Sequence, residues 1–247
     1  MKYLRTSDVA KATGAHPNTV RRYVDRGILP PVERSANGYR RFTQRHIEYM
    51  RLARLVYNGQ YPGKGIFESG VRVVQTAVSG DLEGARSLAQ GHLALVRSER
   101  AQAELAADLL ERWAFGPPSE AAIQPLTIGR VARLLGVSID MVRSWDRNGL
   151  IDVPRDPDNG YRRYGAAEIG RLRVIRMLSR SGYSTAAILR MLIQLDRGEQ
   201  TDLRQALDTP RPDDDARLAS DRWLTTLADQ EQRARTIIAL VEEMISE

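Results

Sequence analysis

The sequence predicts a mainly α chain of 247 residues in which one helical unit is used twice. Three observations predict it. An offset of 122 residues lays 4–66 on 126–188 without a gap, and places Asn37-Gly38-Tyr39-Arg40-Arg41 on Asn159-Gly160-Tyr161-Arg162-Arg163. Two other stretches, about 82–113 and 224–245, are free of proline and carry apolar residues at helical spacing. Charge alternates in blocks: 13 Lys/Arg against 4 Asp/Glu in 1–66, 5 against 8 in 67–124, 13 against 7 in 125–197, and 6 against 12 in 198–247. The two repeat copies are therefore the basic blocks, the pattern of two separate lobes that each meet a polyanion.

Within a copy the elements follow in order. A first helix runs over Ser7 to Thr13, and over Ile128 to Leu135 in the second copy, with Val9 and Ala10 facing inward and Gly14 or Gly136 as the C-terminal stop. The next helix starts at Pro17, a favoured first-turn residue, or behind Ser138, a good N-cap; Gly27 and Gly149 end it. It carries Asn18, Thr19, Arg21, Arg22 and Tyr23 in copy one, and Asp140, Arg143, Ser144 and Trp145 in copy two. Two short helices around a tight turn read as a helix-turn-helix, whose second helix enters a major groove. A hairpin follows, its turn marked by Asn37-Gly38 and Asn159-Gly160. Arg34, Tyr39, Arg40 and Arg41, with Arg155, Tyr161, Arg162 and Arg163, make it a wing that reaches backbone phosphates.

The long stretches complete the architecture. The first has apolar residues at Ala85, Leu88, Ala89, Val96, Ala103, Ala106, Leu109, Leu110 and Trp113. The second steps by three and four through Leu224, Leu227, Glu231, Ala234, Ile238, Val241 and Ile245, a coiled-coil seam with one polar interruption. Both helices are expected to be about 45 Å long, and equal length favours an antiparallel, coiled-coil-like pair with Trp113 near Trp223. The expected organisation is then a first winged helix-turn-helix domain over 1–66, a helical segment over 67–118 with its long helix at about 82–113, a linker over 119–125, a second winged domain over 126–197, and an acidic segment with a long C-terminal helix over 198–247.

These residues resemble the MerR family of winged-helix transcription regulators, and the resemblance covers about half the chain. In copy one it is carried by Asp8 to Gly14, Asn18-Thr19-Val20-Arg21-Arg22-Tyr23, Gly27-Ile28-Leu29 and Arg34 with Gly38 to Phe42; in copy two by Val131 to Ser138, Met141 to Trp145, Gly149-Leu150-Ile151 and Arg155 with Gly160 to Tyr164. Ser181-Gly182-Tyr183-Ser184 with Ile188 is similar to the family's turn into its fourth helix, from which copy one departs with Gln60-Tyr61-Pro62. The resemblance implies binding to double-stranded DNA, dimerisation through antiparallel helices, and distortion of the operator. One chain carrying both halves of such a dimer implies a monomeric pseudo-dimer on an asymmetric operator. RNA polymerase at the promoter and a small-molecule effector are further expected partners. Two other classes remain open: an architectural DNA-bending accessory protein, and a protein that sequesters a small molecule.

Several functions are excluded or disfavoured. With no cysteine there are no disulfides, thiolate metal sites or cysteine nucleophiles. No enzyme, cofactor or metal is expected. His16, His46 and His92 are scattered and suit surface or capping roles, and Asp213-Asp214-Asp215 suits the start of the last helix. Gly59-Gln60-Tyr61-Pro62-Gly63-Lys64-Gly65 resembles a phosphate loop, but its glycines stand one residue too close and no Ser or Thr follows Lys64. The N-terminus lacks a signal-peptide core and no apolar run is long enough to span a membrane, so a cytoplasmic location is expected. Trp113, Phe115 and Trp223 are the candidates for a ligand pocket, with helix packing as the competing use of the same rings.

Overall fold

The computed structural model describes residues 3–59, 64–115, 124–198, 203–209 and 222–246. It is mainly α, and it divides into two compact units: Met1–Ser98 with Thr226–Glu247, and Glu99–Thr225.

The first unit begins with α1 (Thr6–Thr13) and α2 (Pro17–Asp25). The Asp8 carboxylate accepts from the Arg5 N–H at 2.7 Å and opens α1 one residue ahead of the predicted Ser7. Gly14 closes α1 in the left-handed region at φ 61°, a conformation that glycine adopts without Cβ strain. Strands β1 (Glu33–Arg34) and β2 (Arg40–Arg41) pair antiparallel, and Leu4 and Phe42 exchange backbone hydrogen bonds at 2.8 and 3.0 Å. Helices α3 (Gln44–Tyr57) and α4 (Lys64–Val78) then cover the core. Val9, Val20, Leu29, Phe42, Met50 and Val56 are among its fully enclosed side chains.

Helix α5 runs from Leu82 to Phe115, and α11 from Trp223 to Ser246. In the first unit Ala85 and Ala89 of α5 join the same buried cluster as Ile237, Val241 and Met244 of α11. Further along, Arg97 Nε donates to Glu231 Oε1 at 3.1 Å, so the two helices run antiparallel over this stretch. The expected equality of length fails: α5 has 34 residues and α11 has 24. The heptad spacing itself extended only from Leu224 to Ile245, too short for a partner of full length. The buried positions of α11 are Leu227, Gln230, Glu231, Ala234, Ile237, Leu240, Val241 and Met244, which leaves Ile238 and Ile245 at the edge of the seam. Glu231 stays in the seam because Arg97 and Arg235 both donate to its carboxylate.

The second unit repeats the plan with α6 (Ile128–Leu135), α7 (Ile139–Arg147), α8 (Ala166–Arg180), α9 (Thr185–Asp196) and α10 (Leu203–Asp208). Ser138 caps α7 by accepting from Met141 N–H at 3.1 Å, as its position predicts. Leu126 and Tyr164 exchange the bonds that Leu4 and Phe42 exchange in the first unit, at the same 2.8 and 3.0 Å. Among the described residues the hairpin departs from the gapless register. Gly38 N–H donates to Ser35 O, three residues back, whereas Gly160 N–H donates to Asp156 O, four back. The second turn is thus one residue longer, and the lead from Gly149 to Arg155 is one shorter than that from Gly27 to Arg34.

Two histidines do cap helices: His16 Nδ1 accepts from Asn18 N–H at 3.2 Å, and His46 Nδ1 from Thr43 N–H at 3.1 Å. His92 does neither. It is 1% exposed on α5, with Nδ1 at 2.6 Å from Ser69 Oγ. The Ser69 hydroxyl donates to Ile66 O at 2.8 Å, so it accepts from His92 Nδ1–H, and Nε2 is left buried without a partner among the described residues. Burial holds this imidazole below its ordinary value. The folded state favours the neutral ring, so the unfolded chain binds the proton first as pH falls. The associated stability is complete above about pH 6.5 and is lost below it. The urea midpoint of the first unit should therefore drop from about pH 7.5 to about pH 5 more in the wild type than in His92→Gln; equal drops would remove His92 as the cause. Asp213, Asp214 and Asp215 lie outside the described residues, as do Gln60 to Gly63 of the glycine-rich segment; α11 starts later, at Trp223.

Candidate functional site

The exposed face of α2 carries Asn18, Arg21 and Arg22, with Thr19 half-buried beside them. Arg21 Nη1 donates to Asn18 Oδ1 at 3.0 Å, which holds one guanidinium along the helix and leaves Arg22 extended into solvent. The corresponding face of α7 presents Asp140 and Arg143, joined at 3.3 Å. Ser144 is half-buried, and its hydroxyl and carbonyl accept from Asn148 Nδ2 at 3.2 and 2.7 Å.

Two of the expected contacts face the other way. Tyr23 is 7% exposed and packs its ring 5.8 Å from that of Tyr57; Trp145 is 5% exposed. Val20 with Tyr23, and Val142 with Trp145, stand three apart and so share one helix face, the one that closes each core. Burial raises the Tyr23 phenol above its ordinary pKa. These two rings, expected from the sequence to touch DNA, pack into the cores and hold α2 and α7 in place.

At the hairpins the two units match closely. Arg34 Nη1 donates to Gly38 O and Arg155 Nη1 to Gly160 O, both at 3.1 Å, stitching each turn. Arg40 pairs with Asp25 and Arg162 with Asp146, each at 2.6 Å, tying β2 to α2 and the second hairpin to α7. Arg41 lies over the Tyr3 ring, 4.4 Å from its centroid. Arg163 donates to Asp156 through Nε at 2.7 Å and through Nη2, and this holds the Asp156 carboxyl below its ordinary pKa. All six hairpin arginines therefore have a partner inside their own unit. Tyr39 and Tyr161 project from the tips, 76% and 72% exposed.

Sequence reasoning missed the side chains that hold this frame. Arg54 on α3 donates from Nη1 to Thr13 O at 2.6 Å, placing a cation on the carboxyl end of α1. Arg176 on α8 stands in the matching place, with Nη2 3.8 Å from where a Cβ on Gly136 would lie. The repeat itself aligned these two arginines and was the signal available. Arg171 donates to Leu150 O at 2.8 Å and makes a bidentate pair with Asp196, so it fixes the segment leaving α7 against α9. Tyr183 OH donates to Ala103 O at 3.0 Å in a buried site that pushes its pKa well up. Of the pocket candidates, Trp113 lies against Gly170 and Trp223 against Gly182; no ring contact joins the two indoles among the described residues. The Phe115 side chain lies outside the described residues.

Comparison with known proteins finds sequence likeness in both units. Residues 5–42 match the model of the MerR family regulatory proteins, and residues 126–195 that of the MerR HTH family regulatory proteins. A mercuric resistance operon regulatory protein of Serratia marcescens is 37% identical over 79 residues, covering 32% of this chain and 54% of that protein. The HTH-type transcriptional regulator CueR of Escherichia coli O157:H7 is 39% identical over 67 residues, 27% of this chain and 47% of the regulator. The chain spans about half the length of the curated relatives it matches. No solved structure matches it.

Proposed function

The chain belongs to the MerR family through two MerR-like segments, one in each compact unit, and from that premise we propose that it is a sequence-specific regulator of transcription that grips one DNA duplex with both. The observation that carries the reading is the pair of exposed reading faces, Asn18-Arg21-Arg22 on α2 and Asp140-Arg143 on α7, each beside an arginine-rich hairpin. An arginine that projects from a groove-sized helix reads guanine edges or phosphates, and hairpin arginines contact the flanking backbone. Because the two faces differ in residue and in charge, the half-sites they prefer differ, and the operator is asymmetric. In this reading the antiparallel pairing of α5 with α11 takes the place of the dimer seam, the chain acts alone as a pseudo-dimer, and distortion of the bound promoter is what RNA polymerase responds to.

Selection of binding sites from a random duplex pool with the full chain tests the proposal. The expected result is one bipartite, non-palindromic sequence bound by a single chain. A palindromic site occupied by two chains would overturn the pseudo-dimer, and enrichment of no sequence would overturn sequence-specific regulation in favour of architectural bending. If six to ten phosphates are neutralised, affinity falls by about 10³ to 10⁵ between 50 and 200 mM salt. Fluorescence anisotropy with the selected duplex reads that slope directly, and a flat one would contradict the phosphate contacts.

A further inference from the structure

The two copies of the repeat differ in side-chain size at the start of the helix that follows the hairpin. In the first copy that helix carries Gln44, Arg45 and Glu48; in the second the aligned residues are Ala166, Ala167 and Gly170. Glu48 is buried, and Tyr49 next to it is 7% exposed, so large side chains occupy the space beside α3. At α8 the small residues leave a cavity of about 600 Å³, within the range of small-molecule sites. Glycine is the poorest helix former after proline, yet it sits inside α8 with Trp113 beside it: a Cβ on Gly170 would stand 3.6 Å from the indole nitrogen.

The chemistry of the lining selects the occupant. Trp113, Ile151, Ala166, Ala167 and Gly170 give it mainly apolar walls. Four charged groups line the rest: Asp152, Glu168, Arg171 and Asp196. Arg171 and Asp196 neutralise each other through their bidentate pair. The Glu168 carboxylate accepts from Gly165 N–H at 2.8 Å, and Asp152 is exposed with no partner among the described residues. The lining is thus net negative beside a tryptophan, whose ring face attracts cations.

We infer that this cavity binds a flat, largely apolar organic cation, seated beside Trp113 and facing Asp152, and that only the second unit has such a site. Binding should be independent of DNA. Isothermal titration of the full chain in the absence of DNA, with 1-methylquinolinium as probe, 2-naphthoate as anionic control and 2-methylnaphthalene as neutral control, tests it.

Saturable binding of the quinolinium is expected, tighter than that of either control. Gly170→Glu, which restores the first-copy residue, should abolish it, and Asp152→Asn should weaken the quinolinium by about 3- to 10-fold while leaving the neutral probe unchanged. Circular dichroism checks that each variant folds; if Gly170→Glu does not, Asp152→Asn decides alone. No saturable binding of the quinolinium, naphthoate binding as tight as the cation, or unchanged quinolinium affinity in either folded variant would overturn the inference. None of these outcomes bears on the DNA proposal, which is read in a separate assay with no small molecule present.

Discussion

Replacing Arg21 and Arg22 together by alanine is expected to lower affinity for the selected duplex by at least about 30-fold, from about 1–3 kcal/mol for each specific arginine contact. Both guanidiniums stand on the exposed face of α2, away from the side that buries Val20 and Tyr23, and neither is paired with a carboxylate among the described residues. Arginine and alanine are both good helix formers, so the helix survives the change. The matching substitution in the second unit, Arg143→Ala, should cost less, about 2- to 10-fold, because Asp140 already holds that guanidinium at 3.3 Å and would repel any phosphate it approached. Anisotropy titrations at one fixed salt concentration compare the three proteins, and circular dichroism confirms their folding. Wild-type affinity in the double variant would remove α2 from the interface. An equal loss from Arg143→Ala would mean that the two units are read alike.

The hairpin arginines should behave differently from those on α2. Arg40 and Arg162 are held by Asp25 and Asp146, and Arg163 by Asp156, so a phosphate gains each of them only by displacing or sharing a carboxylate. Their contribution to affinity is correspondingly smaller than a count of wing arginines implies. Arg40 and Arg162 hold each hairpin against its helix and Arg163 braces the second hairpin from within, so in the proposed complex a phosphate is their second partner.

Much of this was legible in local chemistry. Pro17, Ser138, Gly14 and Gly136 mark helix ends through rules that act over a few residues, and all four fall where those rules put them. The inward turn of Tyr23 and Trp145 was also within reach, since each follows a buried valine by three positions, but an aromatic ring among arginines reads as a stacking or groove contact until the core it closes is in view. What was not legible depends on tertiary placement. Arg54 reaches Thr13 across 41 positions, and His92 meets Ser69 across 23. The one-residue exchange in the second hairpin cancels on either side, so a gapless comparison passes over it. The cavity beside α8 arises from residues that are absent, and small side chains in a helix do not announce whether a neighbour fills their place.

Substituting Gly182 by alanine is expected to destabilise the second unit by about 2–4 kcal/mol, adding the strain of a left-handed non-glycine residue to overpacking. Gly182 lies in the turn between α8 and α9 at φ 91°. A Cβ built there would fall 2.2 Å from Cζ2 of Trp223 and within 2.8 Å of two further ring atoms. An indole is rigid, and its relief requires the ring to swing out or the turn to move. The turn is pinned on one side by Tyr183, whose hydroxyl reaches Ala103 O, and on the other by Ser184, which caps α9 by accepting from Ala187 N–H at 3.0 Å. Neither can shift without giving up a hydrogen bond, so the strain has no inexpensive outlet. Urea unfolding followed by tryptophan fluorescence should show an earlier transition for Gly182→Ala, while Gly160→Ala at the exposed hairpin tip, also left-handed at φ 71° but with nothing within 4 Å, reports the backbone part alone. Equal shifts in the two variants would mean that the indole yields freely and that Trp223 is not a fixed wall of the second unit.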